Sequence, residues 1–223
     1  MIQSVFPPGQ HAPQHARRRD LLALVLAIAA AALIAPPADA SQLAPQNLKQ
    51  MIKVSDLIVS GEVSKLADGI QDGVPYTEIT LKVKGSIKRD LAPGSTFSFR
   101  QYGLLKARKM ADGRFLLPAK IEGMPTWTVG ENVTTFLNRP ASRTGLVTPV
   151  GLAQGKFTAG GAKSANSFNN RGLFKDMQVD AQVLRPAEAA MLASKGGPVE
   201  TGVMLQLVKR AVKEQWIAKG VMR

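Results

Sequence analysis

From residue 77 the chain alternates, with Thr77, Ile79, Leu81 and Val83 on one side and Glu78, Thr80, Lys82 and Lys84 on the other. That two-residue period predicts a strand with one buried and one wet face. Upstream, Leu57, Val59 and Val63 alternate with Ile58, Ser60 and Glu62 in a β-branched-rich stretch. Gly61 interrupts it where a bulge or a close backbone approach is expected. Residues 69–75 carry two glycines, an aspartate and a proline, which predicts a turn joining these strands. Residues 96–101 repeat the period, Phe97 and Phe99 inward and Ser98 and Arg100 outward. Turn residues at 88–90 and 93–94 make the second and third strands an expected antiparallel pair.

Elsewhere the period changes. Leu48, Met51 and Ile52 recur at helical spacing behind Pro45, predicting a short helix that ends near Val54. A long connection over 103–125 holds an apolar patch of Phe115, Leu116 and Leu117 among basic residues, with room for a further short strand. Trp127 and Val129 flank a turn at Gly130-Glu131, 133–137 reads as a strand, and 146–158 as another, split at Pro149 or Gly151. Residues 159–172 lose their apolar content and predict a mobile loop, within a loop region reaching 185. Pro186 opens a helix over 187–194 that Gly196-Gly197-Pro198 stops. Met204, Leu205, Val208, Ala211, Val212 and Trp216 form one stripe of a final helix over 201–218, laid on the sheet. About five short strands, one long crossover and closing helices predict a mainly β chain. The expected fold is a small OB-like Greek-key barrel with C-terminal helices packed on it, since a sandwich usually needs seven strands or more.

The N-terminus changes the picture of where this domain works. Arg17, Arg18 and Arg19 precede an uninterrupted apolar run of 15 residues, 21–35, ahead of Pro36, Pro37 and the small-x-small site Ala38-Asp39-Ala40. That is the layout of a signal peptide, and it is shorter than the roughly 20 residues of a membrane span. Residues 1–40 are therefore expected to be removed, leaving no transmembrane segment and a periplasmic or secreted bacterial protein beginning at Ser41. Arg18-Arg19-Asp20-Leu21-Leu22 resembles the twin-arginine pattern, and both that route and the general Sec route stay open. The remainder divides into a lead-in with its helix (41–55), a β core (56–158), the loop region (159–185) and C-terminal helices (186–223).

Composition then removes chemistries. The chain has no cysteine, and His11 and His15 both lie in the expected leader. Zinc sites and nucleophilic triads draw on those residues, so no metal, cofactor or catalytic residue is assigned and no enzymatic activity is expected. The sequence 151–157 fails as a phosphate loop: three residues separate Gly151 from Gly155, and Phe157 stands where Ser or Thr belongs. No Ser is followed three residues later by Lys. Cleavage after Ala40 would leave 26 Lys plus Arg against 14 Asp plus Glu, an excess of 12 positive charges. Such an excess favours anionic partners: glycans, lipopolysaccharide, lipid headgroups with peripheral membrane contact, or an acidic exported protein. Nucleic acid is not the expected physiological partner outside the cytoplasm.

The blocks 56–63, 81–83, Gly123-Met124-Pro125 with Gly130-Glu131 and Phe136-Leu137, and 151–157 together resemble a set of uncharacterised exported bacterial proteins. Through the first strand that set is similar to the netrin-like, OB-like barrel of the tissue inhibitors of metalloproteinases. The inhibitors' mechanism chelates zinc through an N-terminal cysteine. Ser41 would stand there in this chain, so that mechanism does not transfer.

The feature left to carry function is basic. Lys82 and Lys84 on the second strand, Arg100 on the third, and Lys88 and Arg89 at their turn would share one surface, which Lys106, Arg108 and Lys109 would extend beyond Tyr102. On OB folds that face and its loops bind oligonucleotides or oligosaccharides. The expectation is a non-enzymatic binding module with a basic face for anionic ligands. An inhibitor-like or structural accessory acting through barrel loops, and a carboxylate-based hydrolase, stay open as alternatives.

Overall fold

A computed structural model describes residues 44–110, 112–119 and 121–223. The expected signal peptide, its cleavage site and the mature N-terminus lie outside the described residues. The chain is mainly β. Its strands are β1 (Leu57–Gln71), β2 (Val74–Ile87), β3 (Thr96–Tyr102), β4 (Arg108–Lys109), β5 (Phe115–Leu116), β6 (Asn132–Leu137), β7 (Lys156–Gly160), β8 (Lys163–Ala165) and β9 (Val199–Glu200). Helices α1 (Leu48–Val54), α2 (Pro186–Leu192) and α3 (Thr201–Lys213) complete it. No helix among the described residues is long and apolar enough to cross a membrane.

The hairpin expected from the alternation is present and longer than expected. β1 and β2 pair antiparallel from Ile58↔Ile87 to Gln71↔Val74, so the predicted turn over 69–75 shrinks to Asp72 and Gly73. Both residues have positive φ, 50° and 76°, the backbone that lets a two-residue loop follow the right-handed twist of its strands. Gly61 does what the pattern asked of it. The β1–β2 register shifts between Ser60 and Gly61, and a Cβ on Gly61 would sit 2.5 Å from the Lys82 carbonyl oxygen. β2 and β3 pair with Ile79 opposite Phe99 and Leu81 opposite Phe97.

The strands do not close into a ring, and they number more than the five or so expected. The strands make an open seven-stranded antiparallel sheet in the order β3-β2-β1-β6-β7-β8-β9, with β4 and β5 as a separate two-stranded ribbon. The reason lies in 146–158, which breaks as expected near Gly151. Its first part runs beside the end of β6, with Leu137 bridged to Pro149 and Val150 N–H donating to Phe136 O at 2.7 Å. A 3-10 turn, Leu152–Gly155, then redirects the chain into β7, which pairs with the start of β6 and continues the sheet outward. Val147 N–H reaches Arg100 O of β3 at 2.7 Å, a single backbone bond where closure would need a ladder.

A hydrophobic cluster lies on each face of the sheet. One face gathers Leu57, Val59, Val63, Ile79, Leu81, Val83 and Phe99 with Trp127, Val133 and Leu137. The other puts Ile58, Phe136 and Phe157 beneath Met204, Leu207, Val208 and Ala211 of α3, with Leu48, Met51 and Trp216 alongside. Alternation set Ile58 on the side of Ser60 and Glu62. It is fully buried because α3 covers that end of β1. The α3 stripe is rotated from the expected one: Leu205 and Val212 are half-buried, Leu207 takes a central place, and the helix ends at Lys213. α3 therefore packs on the face opposite Ile79, Leu81 and Phe99.

The expected mobile loop also differs. β7 and β8 form a hairpin there, and Asn166 and Asn170 are buried. Asn166 Oδ1 accepts from Asn170 N–H at 2.9 Å, while Asn170 Nδ2 donates to Ser164 O and Gly197 O at 3.0 and 2.9 Å. Side-chain amides satisfy the backbone where apolar burial is lacking.

Candidate anion-binding face

The eight cations singled out by sequence do not share one surface with one sign. Register sets Lys82 opposite Glu62 and Arg100 opposite Glu78 on the same sheet face. Arg100 Nε donates to Glu78 at 3.0 Å, its Nη1 donates to Gln71, and its guanidinium lies 4.3 Å from the Tyr76 ring centre. Arg89 pairs with Asp56 at 2.7 Å and Arg108 with Asp68 at 2.6 Å. Lys88, at φ 74°, turns its amine to the Ile52 and Ser55 carbonyls at the C-terminal end of α1. There it supplies donors to acceptors the helix cannot satisfy itself. Burial lowers the Lys88 pKa from its ordinary value, and the Asp56 charge opposes that shift. The expected face thus loses Arg89, Arg100 and Arg108 to carboxylates and Lys88 to a helix end.

Lys82, Lys84, Lys106 and Lys109 remain exposed, and none forms an ion pair among the described residues. Lys84 donates only to the Asn132 side chain, at 2.5 Å. The four fall in two places. Lys84 sits about 23 Å along β2 from Thr77, the residue facing Asp68, at roughly 3.3 Å per residue. Lys106 and Lys109 belong to an arm built on the β4–β5 ribbon, where Arg108 pairs with Leu116 and Lys109 with Phe115.

Asp68 roots that arm. Its carboxylate, only 4% exposed, accepts from Leu105 N–H at 2.8 Å, from Lys106 N–H at 3.2 Å and from Arg108 Nη2 at 2.6 Å. Burial is the largest single influence and raises its pKa. The bonds from Arg108, Leu105 and Lys106 together outweigh it and hold the carboxyl below the ordinary value. A depressed carboxyl stabilises the fold above its unfolded pKa of about 3.9, and that contribution is lost as pH falls through the lower folded value. Acidification should therefore release the arm first. Hydrogen exchange at Leu105 and Lys106 should accelerate below about pH 3.9. Asp68→Ala should produce the same release at neutral pH, at about 1 to 3 kcal/mol because the Arg108 side chain is 38% exposed.

A buried polar cluster beside the first core escaped the sequence reading. Lys156 donates to Thr126 O at 2.6 Å and Glu131 Oε1 at 2.7 Å, with its amine 4.7 Å from the Trp127 ring centre. Trp127 Nε1 donates to Gln101 Oε1 at 3.1 Å, and Gln101 Nε2 to Pro125 O at 3.0 Å. Sequence offered no signal, since these partners lie on separate segments. The cluster ties the crossover to β3 and β7. A shallow apolar groove of about 160 Å³ lies between α3 and the β1–β2 hairpin, lined by Ile58, Ile87 and Leu205 with Lys209 among the lining residues. No group of three His, Cys, Asp or Glu side chains that could hold a metal occurs among the described residues.

Comparison with known proteins returns no match to a family model, a curated protein or a solved structure.

Proposed function

We propose that this chain is an exported, non-enzymatic binding module that holds an anionic ligand through the exposed ammonium groups of Lys82, Lys84, Lys106 and Lys109. The observation that carries the reading is that these four, alone among the eight cations considered, have neither a carboxylate partner nor a backbone site to serve. Lys84 lies about 23 Å along β2 from the root of the arm that carries Lys106 and Lys109, a layout that suits an extended polyanion better than a small one. The leader-like residues 1–40 support export. An OB-like reading of the fold draws support from the β1-β2-β3 meander, the return to β6 beside β1, and the Val147–Arg100 backbone bond. In that architecture the β2–β3 surface and adjoining loops are a common ligand face.

Charge reversal tests it. Exposed charges contribute little to stability, so changing all four lysines to Glu should leave the melting temperature nearly unchanged. Affinity for heparin, used as a polyanion probe, should fall by about tenfold or more, corresponding to about 1.4 kcal/mol. A variant that binds heparin as the parent does would overturn the proposal.

A further inference from the structure

The arm carries more than charge. Leu105, Phe115 and Leu117 are 49, 63 and 66% exposed, and none belongs to either hydrophobic core. Single exposed apolar side chains are ordinary, but three on one short excursion are not. Exposed Lys106, Lys109 and Arg114 lie among them, and Tyr102 is exposed at the root. Arg114 pairs with Asp112 at 2.6 Å; Lys106 and Lys109 have no carboxylate within reach among the described residues. The ribbon is two residues long on each side, too short to offer a strand edge or a groove to a folded partner. Apolar tips that need to leave water, set among cations that need anions, match the boundary of an anionic bilayer. There aromatic and aliphatic side chains enter the acyl edge while lysines stay at the headgroups.

We propose that the β4–β5 arm docks the protein on anionic lipid, with Phe115 and Leu117 entering the bilayer boundary and Lys106 and Lys109 holding headgroup phosphates. This deepens the anion-binding reading and rests on it. Asp68, with Arg108, sets the arm's projection from the β1–β2 hairpin.

The test uses the whole protein and vesicles of phosphatidylcholine with or without phosphatidylglycerol. Trp127 and Trp216 are both buried, so a tryptophan at 115 reports the arm. With phosphatidylglycerol vesicles, Phe115→Trp should shift its emission to the blue and be quenched by brominated acyl chains, and phosphatidylcholine alone should do neither. Phe115→Ser with Leu117→Ser should weaken vesicle binding by about tenfold or more while heparin binding stays within about twofold. Inorganic phosphate should not displace the vesicles if the bilayer, rather than free phosphate, is the ligand. A silent tryptophan at 115 on bound vesicles, or a double-serine variant that binds them as the parent does, overturns the lipid proposal. Heparin binding without vesicle binding overturns it while leaving the anion-binding module intact. Binding to neither at low salt overturns both.

Discussion

Lys156→Ala should destabilise the fold by about 3 to 5 kcal/mol, seen as a lower urea midpoint at unchanged slope. The ammonium is buried against Trp127 and pairs with Glu131 at 2.7 Å, and the Glu131 side chain is itself only 14% exposed. Removing one partner of such a pair leaves the other charge desolvated, a larger penalty than the pair's own net contribution. After truncation, Glu131 Oε1 keeps the Thr128 N–H at 2.9 Å and loses the one cation it pairs with among the described residues. Burial already lowers the Lys156 pKa, with Glu131 opposing the shift, so the site bears a desolvation load even when intact. Combining Lys156→Met with Glu131→Gln should recover most of the loss, because no stranded charge remains. A single variant within about 1 kcal/mol of the parent would show that water reaches Glu131 freely.

Phe99→Ala should cost about 3 to 5 kcal/mol, and Phe97→Ala distinctly less. Both were expected inward by alternation, yet only Phe99 is buried, at 5% exposure, where its ring meets Trp127 edge-on with centres 5.4 Å apart. Phe97 lies two residues earlier in β3 and is half-buried, stacking on Phe99 at 6.0 Å. Paired urea unfolding curves for the two variants check this. Equal losses would mean that the crossover carrying Trp127 covers both rings alike.

These residues also show what the chain's pattern could and could not disclose. Alternation in β2 placed Ile79, Leu81 and Val83 correctly because that strand has one wet face, and Gly61 announced a bulge because a side chain there would strike the Lys82 carbonyl. Where a strand is covered on both faces, alternation misleads. Ile58 alternates with the residues of the first core, yet α3 lies across it and buries it in the second. The mainly β character was legible and ring closure was not, for a related reason: sequence located the break near Gly151, but nothing in it told whether the strand after the break would close a ring or extend the sheet. In the candidate site, the basic residues were legible and their counterions were not. Asp56, Asp68 and Glu78 reach Arg89, Arg108 and Arg100 through pairing and loop paths that no local spacing encodes. The exposed apolar tips of the arm were visible as a patch in 103–125, without any sign that they would stay uncovered.

The salt dependence of polyanion binding tests the anion-binding reading most directly. On that reading the four exposed lysines act through screened electrostatics, and the screening length shortens from about 10 Å at 0.1 M to about 3 Å at 1 M ionic strength. Heparin affinity measured by titration should therefore fall steadily, by about tenfold or more, across that range. An affinity that does not change with salt, or no binding at the lowest ionic strength, would contradict the claim that this basic surface is where the protein works.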